Sequence, residues 1–539
     1  MRKLIAIAGF ILNFWIFVSL PSPASAQTLG NARLSLIQGD VSIQSNDTGT
    51  EWGAAAINTP LTQGTKLWVS ENGKAEVQFL GGSYLRAAEN TNVDFTDLKT
   101  DNQGDIIHVG VPQGRTYIYY AGSAGQNSVF QVDTPIASAR AYGASKFKVD
   151  AYQGGYTEVS VLSGDVYVES RDGNMKIDPG SMLSIGTDRN AGLSPIRQAD
   201  SWDRWNQSRD SALAQVGPSR KYLPSTFSVY GSDFDTYGRW VSTPDYGYVW
   251  TPFRVAGDWA PYRIGRWCWI GGDYVWVSYE PWGWVPYHYG RWAFVGSIGW
   301  CWVPPPIPAF YWGPGFVAWI STSTYVSWVP LAPGEIYYGR GYYGPHSVNI
   351  TNININRINI TNVYVNAQVV NAVTVMNRRT FLTGRTERLV DAPRNPFTAG
   401  VKPSIGRPDI KPERATALPN PAKALSQREL PSREIATRGP EMKNRPVVVH
   451  KDISVLKPDQ RVTSMRVNRS ERPKPVMQAQ KYESRQPPVQ KREVSKTPAK
   501  EREVAPPPAQ RGQPGGPPTQ REFGIAPPHK GGINHTSCA

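Results

Sequence analysis

Residues 280–292 read EPWGWVPYHYGRW, a stretch in which three tryptophans, two tyrosines and two prolines occupy thirteen positions. Fourteen of the nineteen tryptophans of the chain lie between Trp240 and Trp328. Tryptophan is large and highly buried on average, so such a cluster indicates either an aromatic core or an aromatic binding surface. The arrangement of these rings therefore decides the fold of this region.

The tryptophans follow a repeat. Gly-Arg-Trp occurs at 238–240, 265–267 and 290–292, and a further tryptophan follows each copy, at Trp250, Trp276 and Trp300. Trp-Xaa-Trp steps at 267/269, 282/284 and 300/302 place two rings on one face of a strand, because side chains two residues apart project together. This pattern predicts a domain over 225–345 built from twisted β-hairpins whose indoles form the core.

Some of these rings are candidates for a binding surface. Trp259, Trp282, Trp284 and Trp292 have charged, glycine or proline neighbours, which favour exposure. An exposed indole can carry the apolar face of a pyranose ring. We therefore treat these four residues as candidate sugar- or partner-binding positions, with core packing as the alternative.

Residues 27–190 are predicted to form a second β domain. Between Leu34 and Ile185, short segments such as LSLIQGDVSIQS and SKFKVDAY alternate apolar and polar residues, with Gly, Asn and Asp between them. Several short strands at regular spacing predict a β-sandwich, a jelly roll or a short solenoid.

Three stretches of this domain carry a resemblance. VDTPIASARAYGASKFKVD (132–150), TEVSVLSGDVYVES (157–170) and IDPGSMLSIG (177–186) resemble the FecR domain, although Ala141-Tyr142-Gly143 stands where members of that family often have Arg-Gly-Thr. The resemblance implies an exported domain that contacts a protein partner. Residues 225–345 are similar to an uncharacterised Trp- and Pro-rich domain that follows FecR-type regions in bacterial envelope proteins, which implies the architecture and no activity.

The connection between the two domains, 191–224, changes to a helical period. Ile196, Ala199, Trp202, Trp205 and Arg209 recur at spacings of three and four. They predict a helix with one face docked against a neighbouring domain.

Residues 346–377 follow a five-residue rhythm of Ile or Val pairs separated by Asn. This rhythm favours a β-solenoid coil, with a bulged strand that caps the preceding sheet as the alternative. We expect the segment to pack against the Trp-rich domain.

The two ends of the chain predict its location. Arg2 and Lys3 precede an apolar run that ends before Ala24-Ser25-Ala26, which predicts a signal peptide over 1–26, with an uncleaved membrane anchor as the alternative. Residues 378–539 carry a net charge of +17 and are rich in proline. They are predicted to form a disordered tail, either a plain linker or an electrostatic contact to anionic polymers. We expect a periplasmic or secreted bacterial protein.

The chain has few residues suited to catalysis. Cys268 and Cys301 are each flanked by two tryptophans and are candidates for a disulfide in an oxidising compartment. The histidines lack metal-ligand spacing, and the sequence has no motif for a cofactor or a nucleophile. The carboxylates Asp258, Asp273 and Glu280 leave a glycosidase as a remote reading.

Together these observations predict a mainly β, non-enzymatic envelope protein with no catalytic, cofactor or metal site. Its expected role is a protein-interaction or scaffold module that contains a FecR-like domain. The alternative is a protein that binds cell-wall polysaccharide or exopolysaccharide through exposed aromatic residues of 240–330. No specific contact with nucleic acid is expected.

Overall fold

The computed structural model describes residues 29–449, except 124, 188–190, 216, 308, 352, 354–363, 389–391, 436–441 and 443, and also describes the strand 467–469. The predicted signal peptide lies outside the described residues. The described residues belong to one compact unit. Strands dominate, as predicted. Within the described part of the chain, no helix combines the length and the apolar character needed to cross a bilayer.

A β-sandwich forms the N-terminal half. Its first sheet has the order β1 (Ala32–Gln38), β5 (Lys74–Phe79), β6 (Tyr84–Ala87), β8 (Gly104–Tyr120), β11 (Ser145–Tyr152), β12 (Tyr156–Ser163), β15 (Ser181–Ile185) and β16 (Ala191–Pro195). Its second sheet has the order β3 (Gly53–Ala54), β2 (Val41–Gln44), β4 (Lys66–Val69), β7 (Thr91–Asp101), β8, β9 (Val129–Asp133), β10 (Ala137–Ala141), β13 (Val166–Ser170) and β14 (Gly173–Ile177). The two sheets enclose one apolar core, which agrees with the two-sheet folds that the sequence left open.

The long strand β8 belongs to both sheets. Residues 104–113 pair with β7 in the second sheet, and residues 114–120 pair with β11 in the first. Gly114 lies where the strand passes from one sheet to the other, with φ +113°. A Cβ atom there would lie 2.4 Å from the Cα atom of Thr91, so only glycine fits.

The alternation of side chains along the strands fills the sandwich. In β11, Phe147, Val149 and Ala151 point into the core and are buried. Lys148 and Asp150 project to the opposite face, because successive side chains of a strand point to opposite sides. Both polar residues are also buried, which shows that this outer face is covered.

The predicted helix is present as α1 (Ser201–Ala214) and covers part of that outer face. Asp200 caps its start by accepting from the backbone N–H of Asp203 at 2.9 Å. Trp202 is buried, and the ammonium group of Lys148 lies 2.8 Å from the carboxylate of Asp203. The helix therefore docks on the preceding β domain, which identifies the neighbour that the sequence left unnamed.

Four hairpins form the Trp-rich domain, after the short helix α2 (Gly231–Tyr237). They are β17 (Gly238–Thr243) with β18 (Gly247–Pro252), β19 (Gly265–Ile270) with β20 (Asp273–Ser278), β21 (Arg291–Val295) with β22 (Gly299–Val303), and β23 (Val317–Ser321) with β24 (Tyr325–Pro330). The first and third hairpins join into one sheet through β18 and β22. Helix α3 (Trp284–His288) takes in Trp284, so the 282/284 step does not lie on a strand, as the pattern had predicted.

Each hairpin pairs two tryptophans directly across its strands. The pairs are Trp240 with Trp250, Trp267 with Trp276, Trp292 with Trp302, and Trp319 with Trp328. The third pair uses Trp302 and not Trp300. The fourth hairpin lacks Gly-Arg-Trp but keeps the tryptophan pair, so the ring pair is the common element of this domain.

The glycine of each Gly-Arg-Trp makes room for the tryptophan on the opposite strand. A Cβ atom on Gly238 or Gly265 would lie 2.3 Å or 2.7 Å from the ring of Trp250 or Trp276. On Gly290 it would lie 2.8 Å from Nε1 of Trp302. The glycine of each Gly-Arg-Trp therefore leaves the space that the indole ring of the opposite strand occupies.

The segment after the hairpins closes this domain. It contains β25 (Tyr337–Gly339), β26 (Ser347–Asn349), β27 (Thr374–Asn377) and α4 (Arg378–Thr383). Strand β27 pairs with β24 and adds a third strand to the last hairpin. Residues 352 and 354–363, on which most of the predicted solenoid rests, lie outside the described residues.

The start of the predicted tail belongs to the folded unit. Phe381, Ile410 and Ala417 are buried. The backbone carbonyl of Leu418 lies 3.8 Å from the Cys268 thiol, and the Lys423 ammonium contacts the Asp40 carboxylate. The boundary predicted at 378 is therefore too early, because the few apolar residues of this segment are used to cover both domains. A further strand, β28 (Val467–Arg469), pairs with β16.

Candidate functional site

The four tryptophans predicted to be exposed are core residues. Trp259, Trp282, Trp284 and Trp292 are 8%, 6%, 1% and 1% exposed, respectively. Trp259 and Trp282 contact each other edge to face at 5.9 Å between ring centroids, and both contact Trp292. Core packing, the alternative given for these four rings, is therefore the arrangement that the structure shows. Charged and proline neighbours did not expose them, because other segments of the chain cover them.

Several indole N–H groups in this core donate to the backbone. Nε1 of Trp292 donates to Pro286 O at 3.0 Å, and Nε1 of Trp302 donates to Tyr289 O at 2.7 Å. Nε1 of Trp328 donates to the carbonyl of Tyr262 at 3.0 Å. These bonds fix the ring orientations, since a buried donor needs a partner. The rings hold the hairpins in place.

Glu280, the buried member of the proposed carboxylate set, is enclosed by the same core. Nε1 of Trp259 donates to its Oε1 at 2.9 Å, and the hydroxyl of Tyr287 donates to its Oε2. Burial raises the pKa of Glu280 to about 7, partly offset by these hydrogen bonds. Asp258 is exposed, and Asp273 accepts from the backbone N–H of Tyr274 at 2.8 Å. Both carboxylate oxygens of Glu280 thus have protein hydrogen-bond partners in a closed site.

Cys268 and Cys301 are free thiols in separate sheets, so the predicted disulfide is not formed. Both are buried, and burial raises the pKa of each thiol to about 11. Cys268 lies on the second hairpin and Cys301 on the third, so the two side chains belong to different sheets.

Among the described residues, no group of three or more His, Cys, Asp or Glu side chains is arranged to hold a metal ion. His108 is buried in the sandwich, with Nε2 2.7 Å from Oδ2 of Asp133. His288 is buried in the aromatic core, with Nδ1 2.7 Å from the carbonyl of Gly313. Burial lowers the pKa of His288 to about 4, so it is neutral near pH 7.

The β-sandwich and the Trp-rich domain meet at Arg33. This side chain is 3% exposed, and its Nη2 lies 2.7 Å from Oδ2 of Asp233. Its Nη1 donates to Oδ1 of Asn58 at 2.8 Å, and the guanidinium lies over the ring of Tyr230 at 5.2 Å. Asn58 in turn donates to the backbone carbonyl of Glu280 at 2.8 Å.

An apolar contact extends the same junction. Leu29 and Ala56 of the sandwich form a buried cluster with four residues of the second hairpin, and the partly buried Trp312 packs against it. The members from that hairpin are Cys268, Ile270, Val275 and Val277. The junction therefore combines a closed apolar contact with buried hydrogen bonds.

Helix α1 is fixed to the sandwich by buried ions. The carboxylate of Glu76 in β5 lies 2.8 Å from the guanidinium of Arg209 in α1 and 2.8 Å from that of Arg86 in β6. Arg86 also pairs with Asp210 at 2.7 Å. Burial alone would raise the pKa of Glu76, but the two guanidinium groups hold it below its usual value. Arg140, beside the departure from the FecR pattern, is buried and pairs with Glu169.

The described part of the chain contains cavities between its segments. One, of about 410 Å³, lies between the sandwich, α1 and α2. Another, of about 710 Å³, is formed by the second hairpin, β24, β27, α4 and residues 392–394 and 420–422. This second cavity could not be predicted from the sequence, because its walls come from segments that are far apart in the chain. The only local signal was the arginine of the second Gly-Arg-Trp.

Comparison with known proteins agrees with both domains. Residues 65–167 match the family described as FecR protein, and residues 231–335 match DUF6600, a family of unknown function. No curated protein matches the chain.

Solved structures add a weaker likeness. Two crystal structures of a candidate anti-sigma factor from Parabacteroides distasonis are 20% and 22% identical, each with a TM-score of 0.23. The match covers 26% of this chain and 64% of the solved chain. A TM-score of 0.23 supports no conclusion about fold or function. The family matches confirm the two resemblances seen in the sequence: the chain carries a FecR domain, followed by a domain of the uncharacterised family DUF6600.

Proposed function

We propose that the protein is a non-enzymatic, exported protein of the bacterial cell envelope that acts as a scaffold for a protein partner. The FecR match supports an envelope or signalling module. The observation that carries the scaffold role is the Arg33 junction, where a buried guanidinium reaches Asn58 in its own domain and Asp233 in the next. Satisfied buried polar contacts rigidify a structure, so the two domains form one body with a defined outer surface.

The burial of the candidate tryptophans supports this proposal over the alternative, in which exposed aromatic residues of 240–330 bind a polysaccharide. Trp259, Trp282, Trp284 and Trp292 pack in the core, so none offers an open ring face to a sugar. The role of these rings is to stabilise the hairpins, as expected for a scaffold.

The surroundings of Glu280 support a non-enzymatic role. A glycosidase needs two carboxylates that flank an accessible sugar bond. Glu280 is 6% exposed and bonded to Trp259 and Tyr287, whereas Asp258 lies on the surface. We therefore expect Glu280→Gln to change stability and not to remove a hydrolytic activity.

Site-specific photocrosslinking in the source bacterium tests the scaffold role. A photoreactive phenylalanine analogue replaces exposed residues of the FecR domain, Lys99 and Arg171, and of the Trp-rich domain, Tyr248 and Phe294. Trp250, which is fully buried, provides the matched control position. We expect a discrete protein adduct from at least one exposed position and none from the control.

Co-sedimentation of the purified full chain with cell-wall sacculi gives the opposing outcome. Salt-resistant pelleting, together with no protein adduct from any exposed position, would contradict the scaffold role and favour wall binding. Pelleting that high salt reverses would assign only an electrostatic contact to the basic C-terminal region.

A further inference from the structure

The second sheet of the sandwich has an outer face that is polar and yet buried. In β9, the side chains of Phe130 and Val132 belong to the apolar core. Gln131 and Asp133 alternate with them and point outward, because successive side chains of a strand lie on opposite faces. Both are buried, as is Ser42 of β2. A sheet that packs on one face usually leaves its polar face to water, so another part of this chain covers it.

The cover comes from the C-terminal part of the described chain. The Ser42 hydroxyl donates to the backbone carbonyl of Glu429 at 2.8 Å. Farther along the chain, Met442 is buried, and a Cβ atom on Gly110 of β8 would lie 3.2 Å from its Cε. We call the residues that reach this face the cover segment, which consists of the described residues 426–435, 442 and 444–449.

Gln131 binds the backbone of the cover segment with both ends of its side-chain amide. Its Nε2 donates to the carbonyl of Pro446 at 3.2 Å, and its Oε1 accepts from the N–H of Val448 at 3.4 Å. Nε of Arg140 donates to the same Oε1 at 2.9 Å and so orients the amide. Because both bonds go to backbone atoms, Gln131 can hold any extended peptide that passes here, whatever its side chains.

Two side chains of the cover segment add selectivity. The guanidinium of Arg445 donates to the carbonyl of Pro135 at 2.7 Å and to Oγ of Ser138 at 3.3 Å. Met442, three residues earlier, packs over Gly110, where the missing side chain leaves room for it. The face therefore fits a peptide in which an arginine follows an unbranched apolar side chain by three residues.

These contacts are of the kind that can be exchanged. Each of the hydrogen bonds above has a side chain on at least one side, whereas neighbouring strands of a sheet are joined by backbone ladders. Among the described residues of the cover segment, the buried apolar side chains are Ile435, Met442 and Val449. A segment with few buried apolar contacts opens locally at low cost, and the polar face beneath it can be hydrated when it leaves.

We propose that the outer face of the second sheet binds an extended segment of the protein partner, and that the cover segment occupies this face until the partner displaces it. The partner segment carries an arginine three residues after a methionine or another unbranched apolar side chain, and Gln131 binds its backbone. This inference rests on the proposed scaffold role, because it requires a protein partner. It adds where that partner binds and what keeps the site closed.

The cover lowers the apparent affinity of the partner in proportion to the fraction of molecules in which the face is open. The cover segment belongs to the same chain, so its effective concentration at the face is about millimolar. A free peptide of the same sequence therefore competes poorly with it, and weakening the cover should make such a peptide bind.

A disulfide across the contact tests the displacement. In the double variant Gly110→Cys with Met442→Cys, the two Cβ atoms would lie 3.6 Å apart, within the range of about 3.5–4.5 Å that a disulfide requires. Peptide mass spectrometry verifies the bond. The matched control is Gly110→Ser with Met442→Ser, which changes the same positions and cannot form a bond.

Photocrosslinking in the source bacterium then reads out the partner. The photoreactive phenylalanine analogue replaces Tyr167, which lies directly across from Arg140 and points to the same outer face. We expect a protein adduct from the otherwise unsubstituted chain and from the serine control. In the disulfide variant the adduct yield should fall by about tenfold or more, since the face no longer opens.

Fluorescence anisotropy with the labelled peptide MKNRPVVV (442–449) tests the face in the purified full chain. Met442→Ala with Arg445→Ala removes the two selective side chains of the cover, so the peptide should bind this variant about tenfold or more tighter than the unsubstituted protein. Arg433→Ala, at an exposed position of the same segment, is the matched control and should leave peptide binding unchanged. A peptide with alanine in place of its arginine should bind the opened variant about tenfold more weakly.

Four results would overturn the proposal. They are failure of the disulfide to form in the native protein, equal adduct yields at Tyr167 from the disulfide variant and its serine control, no binding of the peptide to the opened variant, and an adduct between two copies of this chain. Adducts at the four exposed positions used above that persist in the disulfide variant would place the partner elsewhere and leave the scaffold role intact. The absence of adducts at every position would contradict the scaffold role itself.

Discussion

A Cβ atom on Gly238 would lie 2.3 Å from Cε2 of Trp250, whose Nε1 donates to the carbonyl of Phe234 at 3.0 Å. The ring therefore lies flush against the backbone that begins its own hairpin. This relationship, which recurs with Trp276 and Trp302, explains why Gly-Arg-Trp repeats.

Gly238→Ala should destabilise the Trp-rich domain by about 1–3 kcal/mol, because an added methyl in a packed core forces side chains or backbone to shift. Thermal unfolding monitored by tryptophan fluorescence measures the change. Gly296→Ala is the control, since a Cβ atom there meets nothing within 4 Å. Equal melting temperatures for the two variants would contradict the packing role of Gly238.

Glu280 should make the stability of the protein depend on pH. Burial raises its pKa to about 7 from 4.5, so the unfolded chain loses this proton near pH 4.5 while the folded chain keeps it to about pH 7. The unfolded state then binds fewer protons across this window, and stability falls as the pH rises through it. Above about pH 7 the full loss is present.

Glu280→Gln removes this titration. Relative to the unsubstituted protein, the variant should gain about 3 kcal/mol of unfolding free energy between pH 4.5 and pH 8. Urea unfolding at both pH values measures the difference. If the gap between the two proteins does not change with pH, Glu280 does not titrate in this window.

Phe381 tests whether the start of the predicted tail stabilises the fold. It is 4% exposed and contacts Tyr274 at 5.1 Å between ring centroids. Phe381→Ala should cost about 3–5 kcal/mol, as for other buried phenylalanines. Arg379→Ala, at an exposed position of the same helix, should change stability little. If Phe381→Ala leaves the stability unchanged, the folded region ends at residue 378, as the sequence predicted.

The two buried thiols should resist modification. Burial raises the pKa of Cys268 and Cys301 to about 11, so little thiolate forms at pH 8. Iodoacetamide should label both only after denaturation, as read by peptide mass spectrometry, and mild oxidants should not join them. A peptide that links Cys268 to Cys301 in the native protein would contradict the separation of the two sheets.

Local features were predictable from the sequence. The three- and four-residue spacing of Trp202, Trp205 and Arg209 predicted α1, because helical side chains share a face at that spacing. The period-two alternation predicted the strands of the FecR domain. The Gly-Arg-Trp repeat predicted hairpins, although the third ring pair uses Trp302 and not Trp300, since strand register depends on the turn that joins the strands.

Burial was not predictable from neighbours in the chain. Trp259 and Trp292 have charged or glycine neighbours and are still buried, because they pack against each other and against Trp282, which lies in another segment of the chain. Phe381 and Ile410 lie in a basic, proline-rich segment whose average composition indicates disorder, yet both pack into the aromatic core. Composition averages over a segment, whereas packing depends on single residues.

The sequence by itself determined the mainly β architecture, the linker helix and the two family resemblances, because these follow from local periodicity and ordered motifs. Only the tertiary structure decided that the indoles are core, that Cys268 and Cys301 stay apart and that Arg263 and Arg266 share a cavity without a carboxylate among its described lining residues. The physical reason is that burial, pairing and cavity shape are set by atoms close in space, and here these atoms come from segments up to hundreds of residues apart.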